Sequence, residues 1–172
     1  RLTEKFGAKA DGKTDDTKSL LNCFNTATKA PNNVVVTIPS GKYIITDVIK
    51  INVNDTKSLT IKGETRSQLK AEIKATTFTT AFQILSFYWA PKGKLVLVNL
   101  NITGNNVPYS PSHPYYDKPQ FTTGIEVLNL KNVLISNNVV RNFYGNGIFA
   151  AYSNISKNLK NRYDNVEISG NS

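Results

Sequence analysis

The chain of 172 residues contains one cysteine, one histidine, one tryptophan and no methionine. A single cysteine excludes a disulfide within the chain, and the lack of a histidine and cysteine cluster argues against a transition-metal site. No apolar run is long enough to span a membrane. Cys23 falls on the apolar face of a predicted helix with Leu20 and Phe24, which predicts a buried free thiol. The chain is thus expected to form one non-membrane unit around its own core.

Acidic residues are also scarce, since 12 Asp and Glu stand against 21 Lys and Arg, a formal net charge of +9. This excess favours polyanionic partners, namely uronic-acid polysaccharides, anionic lipopolysaccharide or nucleic acid. No nucleic-acid-binding motif accompanies the charge, which disfavours nucleic acid. The chain starts at Arg1 without a signal-like segment, so we expect a processed or excised piece whose localisation the residues alone do not indicate.

The N-terminal segment predicts the start of a helix. Asp11 and Gly12 form a turn pair, and Asp15 or Asp16 would supply the side-chain oxygen that caps the first N–H groups. The apolar residues that follow have helical spacing, and Pro31 ends the helix. These aspartates are therefore predicted to have a structural role.

Beyond residue 33 the chain repeats a short pattern of alternating apolar residues followed by glycine or asparagine. The four copies are residues 59–64, 100–105, 133–138 and 166–171. The glycine or asparagine is Gly63, Gly104, Asn137 or Gly170. These residue types tolerate a left-handed backbone, so each strand is predicted to end in the same bend. A second set of asparagines, at positions 105, 138 and 171, predicts stacked amide ladders along the corner.

A second set of strands is predicted around four equivalent inward isoleucines, Ile51, Ile84, Ile125 and Ile148. The shortest complete repeat is 23 residues, which suits a three-sided coil whose strands pair in parallel with their equivalents above and below. The pattern thus predicts an all-β solenoid. An antiparallel sandwich of short strands is the alternative, which the fixed frame makes less favourable.

The chain resembles the N-terminal part of the pectate-lyase-like β-helix family. The resemblance covers residues 6–17, the helix after them, and the strand at 34–38, which ends in Pro39, Ser40 and Gly41. The resemblance implies a single-stranded right-handed parallel β-helix with a short N-terminal capping α-helix. It divides the chain into an N-terminal turn with its capping helix, residues 1–33, and β-helix coils, residues 34–172. The last copy of the pattern runs up to Ser172 and no capping element follows it, so we expect further coils or a partner chain beyond this point.

Long insertions interrupt the repeat, and loops displayed on a rigid scaffold commonly carry function. The longest spans residues 105–122 and is rich in proline and aromatic residues, and residues 87–94 form another. Exposed aromatic faces can stack on sugar rings. The candidate carbohydrate-binding residues are Tyr109, Tyr115, Tyr116, Phe121 and Trp89. The alternative is that such rings cover the helix flank or pack between subunits.

Catalytic residues are less evident. Glycosidic hydrolysis uses two carboxylates about 5 to 9.5 Å apart. Glu126 is predicted to point outward between Leu85 and Phe149 without an acidic neighbour, and Asp117 and Asp164 lie in loops. These three carboxylates are the candidates, although a structural or solvated role is favoured for each. The aspartate pairs and Gly-His-Gly pattern of polygalacturonase-like members and the calcium-binding aspartates of the lyases are not found, and no cofactor is expected.

The resemblance implies a glycan-directed protein, for which we consider three hypotheses. The first is the N-terminal part of an extracellular or virion protein, similar to phage tail-spike depolymerases, that binds and degrades a bacterial surface polysaccharide, acidic in keeping with the basic chain. The second is a secreted bacterial polysaccharide hydrolase or lyase. The third is a non-catalytic adhesin or structural spike. A homotrimer would favour the spike hypotheses, whereas release of reducing ends or unsaturated uronic products would favour an enzyme.

Overall fold

The computed structural model describes residues 5–53, 58–65, 67–71, 82–85, 94–104, 123–143, 145–151 and 165–172. Helix α1 is Thr17–Thr28. Strands β1 to β14 are, in chain order, Asp11–Asp15, Val34–Ile38, Gly41–Ile45, Ile49–Asn52, Ser58–Gly63, Ser67–Ala71, Phe82–Leu85, Lys94–Val98, Asn101–Thr103, Ile125–Leu128, Asn132–Ser136, Val139–Arg141, Ile148–Ala151 and Asn165–Ser169. The short strands reflect the short alternating stretches of β-branched and apolar residues.

The described strands form three parallel sheets. Sheet I contains β2, β5, β8, β11 and β14, sheet II contains β1, β3, β6, β9 and β12, and sheet III contains β4, β7, β10 and β13. From β2 onward the chain visits sheets I, II and III in turn, and each strand pairs with the strand three places later. We call one such set of three strands a circuit. The predicted all-β class is confirmed, and the antiparallel alternative is wrong for the described strands.

Side-chain alternation explains how the three sheets hold together. One register row of sheet I joins Val36, Ile61, Leu97, Ile135 and Ile168. The first four of these are buried, and they pack with the inward residues of the other sheets in one apolar core. Burial of each such side chain contributes about 1.5 to 3 kcal/mol relative to exposure. The core is therefore built from stacked rows of aliphatic residues.

Sheet III confirms the second predicted set of strands, with one error of register. Ile51 pairs with Ile84, and Ile125 pairs with Ile148, 23 residues later, which is the predicted repeat. Ile84, however, lies opposite Val127 rather than Ile125. A shift of two residues keeps the same side chains inward, so alternation alone could not distinguish the two registers.

The pattern at residues 100–105 was assigned to the wrong sheet. Leu97 lies opposite Ile61 in sheet I. Ile102 belongs to β9 of sheet II and lies opposite Leu69 and Val140. Two alternating apolar stretches follow each other closely in this part of the chain, and both match the repeated pattern of alternating apolar residues followed by glycine or asparagine.

The corner between sheets I and II carries a left-handed residue in successive circuits. Asn99, Asn137 and Gly170 directly follow β8, β11 and β14, with φ of 56°, 54° and 60°. The predicted bend is thus present at Asn137 and Gly170. It was wrong at Gly63, which ends β5 inside its ladder, and at Gly104, where φ is not positive and a neighbouring backbone approaches too closely for a Cβ.

Asparagine side chains join successive circuits at this corner. Asn138, which is 1% exposed, donates from Nδ2 to Asn171 Oδ1 at 2.9 Å and to the carbonyl oxygen of Leu97 at 3.0 Å. Its Oδ1 accepts the N–H of Leu100 at 2.9 Å. Leu100 holds the equivalent position one circuit earlier. The predicted ladder therefore has Asn138 and Asn171 as members, while Asn105 lies outside the described residues.

The aspartates before α1 have different partners. Asp15 Oδ1 accepts the N–H of Thr17 at 3.0 Å, at the first residue of the helix. Asp16, which is 1% exposed, makes no side-chain hydrogen bond to the helix. Its two carboxylate oxygens accept the N–H groups of Lys9 and Ala10 at 2.7 and 3.0 Å. The buried carboxylate therefore ties the preceding turn to the start of α1.

Asp11 organises the turn itself. Its carboxylate accepts the N–H groups of Lys13 and Thr14 at 2.8 and 2.7 Å, and the Thr14 hydroxyl at 2.8 Å. These hydrogen bonds to the charged form lower the pKa of Asp11 to about 2. Gly12 has φ of +74°, the left-handed conformation that its place in the turn requires.

Helix α1 packs on β2 and β4 and lies over one end of the core. Its buried residues are Leu20, Cys23, Phe24, Ala27 and Thr28. The predicted burial of Cys23 is confirmed, and this burial raises the pKa of its thiol. The apolar face of the helix thus covers aliphatic rows that would otherwise meet water.

Candidate functional site: the outer face of sheet III

The outer face of sheet III brings polar and aromatic side chains into one row. Ile49 and Ile51 of β4 are buried, so Lys50 between them points outward. In register with Lys50 are Gln83, Glu126 and Phe149. Strands in a sheet lie about 4.8 Å apart, so the row extends over about 14 Å. That length is comparable to a few sugar rings in line.

The described residues of this row differ in chemistry and exposure. Lys50 is exposed, Glu126 is half-buried, and Phe149 is 40% exposed. Asn52, in the second outward row of β4, is also exposed. Charged and amide groups can hydrogen-bond sugar hydroxyls, and an exposed ring offers a flat apolar face. The face therefore combines the two kinds of contact that carbohydrate binding uses.

From β2 onward, the longest connections between described strands begin or end at sheet III. Residues 72–81 lead into β7 and residues 104–124 lead into β10, while residues 86–93 and 152–164 leave β7 and β13. Connections from sheet I to sheet II are short, with residues 39–40 after β2 and 99–100 after β8. Parallel strands share a direction, so the connections at each end of sheet III leave from a common side.

The aromatic candidates belong to these connections. Tyr109, Tyr115, Tyr116 and Phe121 lie in the segment between β9 and β10, and Trp89 lies between β7 and β8. All five are outside the described residues, as are the catalytic candidates Asp117 and Asp164. Their assignment to sugar binding or catalysis stays a prediction.

Glu126 is the one catalytic candidate within the described residues. It lies on the outer face, half-buried, with Gln83 and Phe149 as its register neighbours. The expected neighbour Leu85 was wrong, because β7 is shifted by two residues and Leu85 lies opposite Leu128. Among the described strands of sheet III no other acidic residue occurs. These strands alone therefore do not assemble the carboxylate pair that glycosidic hydrolysis uses.

Sequence reasoning placed Phe149 beside Glu126 on the outward side, which the register confirms, but it missed Lys50 and Asn52 as members of this surface. The signal was available, because each stands next to an inward isoleucine and must point to the other side of its strand. What the sequence did not show is that Lys50 lies in one row with Gln83, Glu126 and Phe149, since that depends on the register of four strands.

The described part of the chain contains neither a membrane-spanning helix nor a group of side chains suited to a metal ion. None of its helices is both long and apolar enough to cross a membrane. No group of three or more His, Cys, Asp and Glu side chains in it is arranged to hold a metal ion.

Comparison with known proteins gives a consistent result. The structure resembles ORF18 of Geobacillus virus E2, with a TM-score of 0.60 and 20% sequence identity, over 83% of this chain and 25% of that chain. A polygalacturonase of Prunus persica is 44% identical over 44 residues, which is 26% of this chain and 11% of that protein. The chain thus spans a quarter or less of each. The family described as "Rhamnogalacturonase A/epimerase, pectate lyase-like" matches residues 1–171, and the chain belongs to this family.

Proposed function

We propose that this chain is the N-terminal part of an extracellular or virion β-helix protein that binds and degrades polysaccharide, most like a phage tail-spike depolymerase. The family membership over residues 1–171 is the observation that carries the proposal. The likeness to a phage protein supports the fold, and the match to a polygalacturonase supports action on a polysaccharide. The basic chain, with a formal net charge of +9, favours an acidic polysaccharide.

The proposed scaffold is a single-stranded right-handed parallel β-helix. Its support is the regular visit of the chain to sheets I, II and III and the parallel pairing of equivalent strands. Right-handed crossovers between parallel strands are the strong preference of L-polypeptides. In this scaffold residues 1–33 form the N-terminal turn with its capping helix, and residues 34–172 form the coils. The glycan would lie along the outer face of sheet III.

The first experiment tests this face. Binding of the protein to a panel of bacterial surface and uronic-acid polysaccharides is measured by titration calorimetry for Phe149→Ala and for wild type. Loss of an exposed ring that stacks on sugar should weaken binding by about fivefold to tenfold. Val35→Ala is the matched control, because Val35 is 61% exposed and lies on sheet I. Equal weakening by both variants, or by neither, would contradict the proposed face.

The second experiment tests the charge. If acidic groups of the glycan meet the basic surface, affinity should fall as sodium chloride rises from low to physiological concentration, because salt screens exposed charges. A neutral polysaccharide of similar length serves as the control. Affinity that does not depend on salt would remove the acidic substrate from the proposal.

A secreted polysaccharide hydrolase or lyase is the second candidate, and the short match to a polygalacturonase favours it. Incubation with each bound polysaccharide separates the chemistries, since hydrolysis releases reducing ends and elimination produces unsaturated uronic products. Binding without either product would favour a non-catalytic adhesin or spike. Sedimentation analysis of the full protein tests for a homotrimer, which would favour the spike proposals.

A further inference from the structure

Strand β2 is the edge of sheet I, and part of its backbone faces away from the sheet. In a parallel ladder, alternate residues direct both N–H and C=O to the same side. The carbonyl oxygen of Ile38 accepts the N–H of Glu64 at 2.9 Å, so Ile38 and Val36 face β5. Val35 and Thr37 therefore direct their backbone groups to the open side. In the part of the chain that the structure describes, no backbone hydrogen bond outside the strand ladders involves either residue.

A cleft of about 480 Å³ lies beside this open edge. Consecutive residues of β2 form one wall, and apolar groups of α1 and of the N-terminal segment form the other. The lining apolar residues outside β2 are Phe6, Cys23, Ala27 and Pro39. The volume is within the range of pockets that hold a ligand. The cleft thus offers unpaired backbone groups on one side and an apolar surface on the other.

Two residues of opposite charge also line the cleft. Lys5 holds its Nζ 5.7 Å from the ring centroid of Phe6, beside the apolar wall. Glu64 follows β5, where its Oε2 accepts the N–H of Ser40 at 3.1 Å. Strand β2 itself contains no charged residue. An occupant that carries one acidic and one basic group would therefore match the charges of the lining.

We propose that this cleft binds an extended peptide segment of a partner protein, which adds to sheet I as a further strand beside β2. The backbone groups of Val35 and Thr37 are two residues apart, the spacing at which a neighbouring strand bonds. The peptide would place an apolar side chain against Phe6 and Ala27 and its charged side chains near Lys5 and Glu64.

The test uses a displayed library of random heptapeptides, selected on the wild-type protein and counter-selected on Thr37→Pro. The proline removes an N–H on the open side and leaves the bonds to β5, which neighbouring residues make. The control is Thr37→Val, which keeps the N–H and should retain the selected peptides within about twofold, whereas Thr37→Pro should weaken them about tenfold or more. Failure to enrich any peptide on wild type over Thr37→Pro would overturn the proposal.

Amide hydrogen exchange and a charge variant keep the test independent of the proline. Without peptide, the amides of Val35 and Thr37 should exchange faster than that of Val36, and the selected peptides should slow them about tenfold or more. Slow exchange without peptide would show that the chain covers this edge itself. Lys5→Glu should shift the selected peptides from acidic to basic residues, and an unchanged selection would contradict the charge match. Self-association that Thr37→Pro abolishes would assign the edge to a second copy and overturn the proposal.

Discussion

The corner between sheets I and II differs sharply from the two ends of sheet III. At the corner, successive circuits turn within about two residues, with left-handed backbone at Asn99 and Asn137 and hydrogen bonds between Asn138 and Asn171. At sheet III, connections such as residues 104–124 and 152–164 separate the strands. Sheet III keeps its parallel pairing across these long connections, so its register is set by the ladders and the packing of inward side chains rather than by short turns. The remaining corners can accept insertions without loss of the ladders.

The largest expected effect tests whether tight packing is confined to that corner. Gly104 directly follows β9, and a Cβ at this position would clash with the backbone carbonyl oxygen of Asn142. Because that neighbour is backbone, it cannot move aside as a flexible side chain would. We expect Gly104→Ala to lower the free energy of unfolding by about 3 kcal/mol. Chemical denaturation measures it.

Gly147→Ala is the matched control, because the nearest atom to its Cβ would be 3.6 Å away, an ordinary contact. We expect a change of at most about 0.5 kcal/mol. Similar effects at both glycines would show that the local approach at Gly104 is not the cause.

The next prediction concerns the side-chain hydrogen bonds of Asn138 at the corner between sheets I and II. Asn138→Leu places at this position the residue type that Leu100 provides one circuit earlier. It leaves the N–H of Leu100 and the carbonyl oxygen of Leu97 without their partner. Unsatisfied buried groups cost about 1 to 3 kcal/mol, so we expect a loss of about 2 kcal/mol. Asn146→Ala, at an exposed asparagine, is the control for thermal and chemical unfolding. If Asn138→Leu were as stable as wild type, the amide ladder would not be what holds the corner.

The smallest effect concerns a turn held by local contacts rather than by contacts between circuits. The folded-state pKa of Asp11, about 2, lies below its ordinary value of 3.8. The unfolded chain therefore binds the proton first, and the stabilisation present above that ordinary value is lost as pH falls toward 2. Asp11→Asn should reduce the fall in Tm between about pH 4 and pH 2, by a small amount because the group is exposed. An acid dependence identical to wild type would contradict the role of this carboxylate.

Much of the fold could be predicted from the sequence. Alternation placed Ile51 and Ile125 of sheet III on the buried side, and the left-handed residues Asn137 and Gly170 were found from their residue types. The error at Gly104 has a physical cause, because glycine serves a close approach of two segments as well as a left-handed bend. Sequence alone does not distinguish these uses, since the approaching segment lies 38 residues further along the chain, at Asn142.

The candidate site was less predictable. Aromatic residues in long insertions drew attention because of their composition, and they lie outside the described residues. The row that includes Lys50, Glu126 and Phe149 depends on the pairing of four strands, and a shift of two residues would have changed every neighbour. The same reasoning applies to the open edge of β2, since which residues face outward follows from one hydrogen bond to Glu64.

The sequence by itself determined the class of this protein, because alternating aliphatic stretches, turn residues and the segment before α1 are local features that need no partner to be recognised. Tertiary structure decided which of these stretches are neighbours. It set Ile84 opposite Val127, directed the hydrogen bonds of the Asp16 carboxylate to the turn before it, and assembled the outer face of sheet III. The physical reason is that alternation has a period of two and tolerates any even shift, whereas packing and hydrogen bonds between circuits accept only one register.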